Sequence, residues 1–309
     1  MGTETSKRAI LLGMLAAALG NIIWGFSSMC SRICMEVTTP AILLFWRFAI
    51  AAAAMFLFAR VRHISVRPRR GDWKWILLLS LFQPIVYFIG EEYGILCSST
   101  AFCGVILALA PVMGLVQGMI FLHERASIWQ VLFSLLSIAG VIILTIASGG
   151  TGVATVSGAL LFVMAVAAGS AYFVVGRHVK DSLSAFQRTF YLAVSGCAAF
   201  FVWALLENLR NPMAILQAVT VPRFVWPVVY LGIVSTILAY FLVNYATVRL
   251  PAARFMAFCN LSTILTVLCG MLILKEPYVP ALIPTTVMIL VGVWGVQKYT
   301  PEYLEAHRK

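Results

Sequence analysis

The chain has 309 residues, of which 62% are hydrophobic and 11% are charged, and its mean hydropathy is +0.98. Soluble domains are about 45–50% apolar and about 25% charged, and even a large globule needs a polar surface. The composition therefore excludes a water-soluble protein and predicts one that resides in a lipid bilayer. The net charge of +11 does not indicate a nucleic-acid partner, because the basic residues lie between apolar runs.

Ten apolar stretches follow one another, each near the length of about 20 residues that a helix needs to cross a bilayer. They are 10–30, 40–59, 74–95, 101–121, 127–147, 156–177, 187–206, 224–246, 252–274 and 279–297. Helices are expected because membrane strands would alternate apolar and polar residues. The first stretch is interpreted as a retained span rather than a signal peptide, since no A-x-A-like site closes it.

Lysine and arginine divide unequally between the two ends of these spans. With the N terminus in the cytoplasm, seventeen of them fall on the inner side and four on the outer side. The outer four are Arg32, Arg210, Arg223 and Lys275. Since cytoplasmic loops carry the excess of basic residues, we expect a multi-pass plasma-membrane protein with both termini in the cytoplasm.

The second half of the chain repeats the first at a distance of 152 residues. "MIFLHERASI" at 119–128 returns as "MLILKEPYVP" at 271–280. The gap-free shift pairs Tyr93 with Tyr245, Ala101 with Ala253, Leu109 with Leu261, Gly118 with Gly270, Met119 with Met271, Leu122 with Leu274, Glu124 with Glu276, Gly140 with Gly292 and Val141 with Val293. Self-similarity at a fixed period indicates a repeat architecture, here residues 1–150 and 151–309 with five spans each.

Five spans are an odd number, so the second copy enters the membrane from the opposite side. We therefore predict an all-α integral membrane protein with ten transmembrane helices in two inverted five-helix repeats. Arg125 falls on the inner side and Lys275 on the outer side, as inversion requires. Inverted repeats recur in secondary transporters, which bind substrate between the halves near the bilayer midplane.

The segments "IIWGFSSMCSRI", "LLFWRFAIAAA" and "YGILCSSTAFCGVILALAPVMGLVQGMIFLHERASIWQVLFSLLSIAGVIIL", with a weaker second copy, resemble the EamA family of the drug/metabolite transporter superfamily. The resemblance covers essentially the whole chain. It is carried by Trp24-Gly25, Arg47, Pro111, Glu124, Gly140, Glu276 and Gly292. It implies ten helices, both termini inside and the movement of small metabolites by alternating access. The second half departs from the pattern, since Thr263 stands at the Pro111 equivalent and no Trp-Gly opens the sixth span.

Three charged residues fall inside predicted spans. Arg47 lies seven residues from Pro40, about 10 Å into the bilayer, and Glu91 and Glu92 in "YFIGEEYGI" have a similar depth. An Arg47–carboxylate pair would neutralise both charges, while substrate binding, proton coupling and snorkelling stay open as alternatives. We assign these three residues as candidate coupling or gating residues. Glu92 is preferred because the shift pairs it with Asn244, which suggests a shared water-accessible cavity.

Polar and aromatic side chains complete the candidate substrate site. Rings facing Glu92 would hold a cationic amine and Arg47 would hold a carboxylate, so that both together suit an amino acid zwitterion. Packing, an interfacial aromatic belt and hydrogen bonds between helices are the alternative roles of these side chains. The predicted substrate-binding residues are Asn21, Trp24, Trp46, Arg47, Gln83, Tyr87, Glu92, Tyr172, Asn244 and Asn260.

Glu124 and Glu276 each follow one span and precede the next. A carboxylate there is expected to face the positive end of the following helix and accept its free N–H groups, which is a structural role. Proton coupling is the alternative. Histidines, cysteines and acids form no cluster with metal-binding or catalytic spacing, so we predict no metal, no cofactor and no enzymatic activity.

These features predict a secondary transporter whose partners are a small-molecule substrate, such as an amino acid or an amine, and the lipid bilayer. Export is the expected direction. Proton coupling or exchange is the expected energy source, because the sequence has no G-x-x-x-x-G-K-[ST] loop for ATP. A channel and an integral membrane enzyme are the alternatives. A homodimer is left open, since close-packing glycines serve contacts within or between chains.

Overall fold

A computed structural model describes residues 2–121, 125–148, 151, 153–179, 182–250, 252–277 and 279–300. Ten helical segments lie within these residues. They are α1 (Gly2–Met35), α2 (Pro40–Val61), α3 (Trp73–Cys97), α4 (Thr100–Leu107 and Ala110–Phe121), α5 (Ile128–Ala147), α6 (Val156–His178), α7 (Ala185–Glu207), α8 (Pro222–Val229, Tyr230–Leu238 and Ala239–Arg249), α9 (Ala252–Leu268 and Cys269–Ile273) and α10 (Leu282–Lys298). The remaining helical turns are Arg70–Asp72, Ala214–Gln217 and Ala218–Thr220.

Seven segments are long and apolar enough to cross a membrane, namely α1 from Ile10 onward, α2, α3, α4, α5, α7 and α8. Among the described residues, α6, α9 and α10 contain shorter apolar stretches. The sequence placed all ten segments, and the largest difference is in α1, which spans residues 2–35 rather than 10–30. The helix α4 is interrupted between Leu107 and Ala110, just before Pro111.

The helices α3 and α8 are interrupted at equivalent places. In α3, Leu81–Val86 is wound as a π-helix, and Gln83 leaves the helical conformation (φ −146°, ψ 116°) where Pro84 restricts the residue before it. In α8, Tyr230–Leu238 is π-helical, and the 152-residue shift carries the α3 interruption onto this segment. Paired interruptions in corresponding helices of two halves point to a binding site.

The helices α5 and α10 pack through reciprocal contacts. A Cβ at Gly140 would approach Ile289 to 2.7 Å, and one at Gly292 would meet Ser137. The same residues are joined by a hydrogen bond of 3.2 Å, which Ser137 Oγ donates to the carbonyl oxygen of Ile289. Residues 137 and 289, and residues 140 and 292, are equivalent under the 152-residue shift. Reciprocity of this kind is the signature of a twofold axis.

Other helix pairs repeat the arrangement. Contacts of α1 with α8 are matched by contacts of α6 with α3, and contacts of α1 with α9 are matched by those of α6 with α4. The pairs α2–α7, α4–α9 and α5–α10 each join a helix to its own counterpart. The first helix of each half therefore packs against the third and fourth helices of the other half, and the two halves form a single body.

We expect Gly292→Ala to lower the stability of the protein. The new Cβ would lie 2.6 Å from the carbonyl oxygen of Phe133, a backbone atom that cannot rotate away. Overpacking of this kind costs about 1–3 kcal/mol. Gly114→Ala is the matched control, because a Cβ at Gly114 meets nothing within 4 Å. Thermal unfolding in detergent measures both variants, and an unchanged Gly292→Ala would contradict the close packing of α5 and α10.

Candidate functional site

Arg47 and Glu92 form an ion pair inside the helical body. Arg47 extends from α2 and Glu92 from α3, and their side chains are 3% and 0% exposed. Arg47 Nη1 lies 3.5 Å from Glu92 Oε1. A single charge in an apolar surrounding is strongly unfavourable, and a partner of opposite sign offsets most of that penalty. The structure thus contains the arginine–carboxylate pair that the sequence suggested.

The rest of the Arg47 guanidinium contacts the second half of the chain. Its Nε donates to Thr236 Oγ1 at 3.1 Å and its Nη2 donates to Ser235 Oγ at 3.3 Å. On its other side, the guanidinium carbon lies 4.4 Å from the centre of the Phe88 ring, a distance typical of a cation–π contact. Arg47 therefore joins Glu92 of the first half to α8 of the second half.

The interruption of α8 explains how two adjacent hydroxyls reach one guanidinium. Ser235 and Thr236 both lie in the π-helical segment Tyr230–Leu238, where Thr236 Oγ1 donates to the carbonyl oxygen of Leu231 at 2.7 Å. A π-helical turn widens the helix and changes the direction of its side chains. Ser235 is also the shift equivalent of Gln83, which lies in the interruption of α3.

The helix α1 completes the shell around the ion pair. Ser31 Oγ donates to Glu92 Oε1 at 2.8 Å. Ser27 and Ser235 share a hydrogen bond of 2.6 Å between their hydroxyls, and Trp24 Nε1 donates to the Ser235 carbonyl oxygen at 3.3 Å. Glu92 Oε2 is buried and has no hydrogen-bond partner in the described part of the chain. One carboxylate oxygen is thus saturated and the other can accept a proton or a ligand donor.

Several predicted residues lie next to this cluster. Trp24 packs edge to face on Tyr240, with ring centroids 5.3 Å apart, and Gln83 Nε2 donates to the Tyr240 hydroxyl. Tyr87 donates to Glu91 Oε1 at 3.4 Å. With Arg47 and Glu92, the structure therefore gathers most of the predicted α1 and α3 residues into one buried polar region.

Two predicted residues, Asn21 and Trp46, form hydrogen bonds outside this cluster. Asn21 Nδ2 donates to the carbonyl oxygen of Ala17 in its own helix at 2.9 Å. Trp46 Nε1 donates to the Ile215 carbonyl oxygen, in the segment between α7 and α8, at 2.8 Å. Asn260 is half-buried on α9. The first two side chains are engaged by backbone carbonyls, which fits a structural role better than substrate binding.

Asn244 does not share a cavity with Glu92. It borders an open groove with Ala185, Phe241 and Tyr245, eight residues beyond Thr236 and therefore about 12 Å further along α8. The physical reason is the approximate twofold axis that relates the two halves. It brings equivalent residues together only where they lie close to the axis, as in α5 and α10, and Glu92 lies elsewhere, near the end of α3.

Glu276 caps a helix, although a different one from that predicted. Its Oε1 accepts a hydrogen bond from the Thr100 backbone N–H at 2.9 Å, and its Oε2 accepts one from that of Ala101 at 3.2 Å. The carboxylate therefore stabilises the N terminus of α4 in the first half, rather than the following helix α10. This position suits it because free N–H groups and the helix dipole both favour an anion there. Glu124 lies outside the described residues.

Sequence reasoning missed Ser27, Ser31, Ser235 and Thr236. Hydroxyls are common in membrane helices as glue between helices, so the residue type alone gave no signal. The four-residue spacing of Ser27 and Ser31 puts both on one face of α1. In the part of the chain that is described, no group of three or more His, Cys, Asp or Glu side chains could hold a metal ion.

The comparisons with known proteins place both halves in one family. The model of the EamA-like transporter family matches residues 11–146 and again residues 156–297. The chain is 30% identical over 287 residues to the uncharacterized transporter YcxC of Bacillus subtilis, with 91% of each chain covered. It is 23% identical over 282 residues to an uncharacterized transporter of Archaeoglobus fulgidus, covering 91% of this chain and 97% of the relative.

A solved crystal structure of a protein with 20% sequence identity has the same fold. It superposes with a TM-score of 0.63 and covers 96% of this chain and 98% of that chain. Since two halves match one family model and the whole length matches one fold, the chain is one unit built from a duplicated element.

A double-mutant cycle should show strong coupling between Arg47 and Glu92. Arg47→Met and Glu92→Gln each leave a buried group without its partner, and each is expected to cost about 3–5 kcal/mol. The double variant should lose much less than the sum. The exposed pair Arg223–Glu36, 2.6 Å long, is the matched control, with a coupling of about 0–1 kcal/mol. Reversible unfolding in mixed micelles measures both cycles, and equal couplings would contradict the buried pair.

Proposed function

Because the chain belongs to the EamA-like transporter family, we propose that it is a secondary carrier that moves a small solute across the plasma membrane by alternating access. The solute class is amino acids, amines and related compounds, and export is the proposed direction. One observation carries the proposal. The Arg47 guanidinium lies between Glu92 of the first half and the α8 hydroxyls of the second, where a solute would contact both halves at once.

A contact at the chain's surface supports a crossing by α6. Arg223 Nη2 and Glu36 Oε2 are 2.6 Å apart, and the helices between them are α2 to α7. Two residues in contact outside the bilayer lie on one side of it, so the number of crossings between them is even. The five long helices in this stretch are an odd number, and α6 supplies the sixth crossing.

The same count supports crossings by α9 and α10. Glu276 contacts Thr100 across α4 to α9, and Ser127 Oγ donates to the Tyr299 carbonyl oxygen across α5 to α10. Each stretch holds six helices, and the number is even only when α9 and α10 cross. We therefore propose ten crossings in two inverted halves, with both termini in the cytoplasm as the basic residues favour.

Charge balance restricts which solutes the site can bind. An arginine side chain carries a positive charge in proteins, so a closed apolar site needs one net negative charge beside it. Glu92 supplies that charge as the partner of Arg47, and the second buried carboxyl group, Glu91, is then neutral. A zwitterion preserves the balance, because its carboxylate pairs with Arg47 while its ammonium pairs with Glu92. A monoanion preserves it only when Glu92 binds a proton. The species that we propose to bind are therefore neutral overall: either a zwitterion alone, or an anion together with a proton.

Transport in proteoliposomes tests the site. We expect Arg47→Gln and Glu92→Gln each to reduce saturable uptake of a transported amino acid by at least about tenfold, because each removes one partner of a buried charge pair. Glu36→Gln removes an exposed carboxylate of a surface pair and should transport as the parent does. If both site variants transport normally, the assignment of Arg47 and Glu92 is wrong. Flux without saturation would favour a channel.

Cysteine labelling tests the inversion. In a variant that keeps only Cys97, an exposed residue at the end of α3, a membrane-impermeant maleimide should react from outside intact cells. In the same background without Cys97, a cysteine at Arg249 should react only in inside-out vesicles. These two positions are equivalent under the 152-residue shift, so labelling of both from one side would exclude inverted halves.

A further inference from the structure

A second buried carboxyl group lies one residue before the carboxylate of the ion pair. Glu91 is 7% exposed, Glu92 is fully buried, and both lie on α3. Consecutive residues of a helix point in directions about 100° apart, so the two carboxyl groups face different neighbours. Glu92 faces Arg47 of α2, whereas Glu91 lies on the same side of α3 as Tyr87, one turn earlier. Glu91 is therefore a separate ionisable group beside the Arg47–Glu92 pair.

The groups around Glu91 come from both halves of the chain. Its titratable and charged neighbours are Arg47 of α2, Tyr87 and Glu92 of α3, Cys103 of α4 and Tyr240 of α8. The tyrosines and the cysteine are uncharged at neutral pH, and among the described residues no basic side chain forms an ion pair with Glu91. Arg32 of α1 approaches α3 at Ile95, one turn further along, and is partly exposed, so that water compensates its charge.

Charge balance leaves one proton on this pair of carboxyl groups. Arg47 carries one positive charge, and Glu91 and Glu92 would carry two negative charges if both were ionised. An excess charge in an apolar interior is strongly unfavourable, and two neighbouring carboxyl groups avoid it by keeping one proton between them. Glu92 is the ionised member, because it lies 3.5 Å from Arg47 and accepts a hydrogen bond from Ser31 at 2.8 Å. Glu91 therefore holds the proton while the site is closed.

The proton on Glu91 determines how the site can bind an organic cation. A zwitterion leaves the net charge of the site unchanged, so Glu91 keeps its proton. An ammonium ion without a carboxylate adds one positive charge, which is balanced when Glu91 ionises. Tyr87 contacts Glu91 directly, and Tyr240 lies nearby with Trp24 packed on its ring. Aromatic rings attract organic cations, so the surroundings of Glu91 suit an alkylammonium or arylammonium ion.

We propose that Glu91 is the proton-exchange site of the carrier, and that one proton leaves it for each organic ammonium ion that binds. The proposal rests on the carrier function proposed above. The O–H bond of the Glu91 carboxyl group breaks as the cation enters, and the proton passes to water on that side of the membrane. The bond forms again with a proton from the other side when the cation leaves there. Each cycle therefore exchanges one cation for one proton and moves no net charge.

Infrared spectroscopy tests the proton without any substrate. A protonated carboxyl group gives a C=O band that shifts in heavy water, whereas an ionised carboxylate gives no such band. In difference spectra of the purified protein at neutral pH, we expect this band in the parent and its loss in Glu91→Gln. Glu36→Gln is the matched control, because it removes an exposed carboxylate and should leave the band unchanged. A parent without the band, or a band that persists in Glu91→Gln, would overturn the proposal.

Two hydroxyl variants assign the proton to one of the two carboxyl groups. Tyr87→Phe removes the hydrogen bond to Glu91, so the C=O band should shift. Ser31→Ala removes the hydrogen bond to Glu92 and should leave the band in place, since Glu92 is ionised and does not contribute to it. A band that shifts in Ser31→Ala and not in Tyr87→Phe would place the proton on Glu92 and overturn the assignment to Glu91.

Flux in proteoliposomes tests the exchange. The probes are phenylalanine and phenethyltrimethylammonium, a cation that cannot cross the bilayer as a free base, and a trapped dye reports the internal pH. We expect saturable uptake of the cation to raise the internal pH and uptake of phenylalanine to leave it unchanged. Glu91→Gln should lower uptake of the cation relative to that of phenylalanine by at least about tenfold, and Glu36→Gln should keep the parent's ratio.

The exchange and the carrier function fail separately. Saturable flux of phenylalanine, with no uptake of the cation or with cation uptake that leaves the internal pH unchanged, would leave the carrier function standing and overturn the exchange at Glu91. A C=O band assigned to Glu91 without saturable flux of either probe would leave the proton in place and overturn the carrier function, and the exchange with it.

Discussion

The structure depends on one buried guanidinium. Arg47 is charged at every physiological pH, and its helix offers it only apolar neighbours. The surrounding helices therefore have to supply an anion and acceptors at one place, which they do through Glu92 of α3 and the hydroxyls of α8. Because those partners come from both halves, the charge that would destabilise either half alone holds the two together. In the proposed carrier, a solute that replaced one partner would change the same contacts that join the halves.

The helices could be predicted because a bilayer leaves little choice. A segment of about 20 apolar residues has to be helical, so the apolar stretches located α2 to α10 within a few residues and α1 less closely. The duplication could be detected in the sequence for a related reason. Gly140 and Gly292 have to be small where α5 and α10 meet, because any Cβ would strike the facing helix. Close packing around a symmetry axis fixes residue type, and fixed residue types are what a sequence comparison detects.

Partners across the bundle could not be predicted in this way. The sequence assigned Glu276 to the helix that follows it, whereas its carboxylate caps Thr100, 176 residues away. Any helix N terminus within reach satisfies a carboxylate equally well, so only the tertiary arrangement selects α4. Ser235 and Thr236 were missed for the same reason. Their hydroxyls become arginine ligands only because α8 is π-helical at that point, and local sequence does not specify that turn.

The proposed inversion of the halves would also explain why equivalent positions carry different chemistry. Under it, equivalent residues away from the midplane lie on opposite sides of the membrane, so Glu92 and Asn244 would not line one site, whereas Gln83 and Ser235 lie in the two helix interruptions. The duplication therefore gives the two halves similar backbones. The single Arg47–Glu92 pair provides one charged site where the two halves meet. A second copy of that ion pair would double the free-energy cost of burying charges and would add no second pathway for the proposed solute. The helices are therefore alike in both halves, whereas the buried Arg47–Glu92 ion pair occurs once among the described residues.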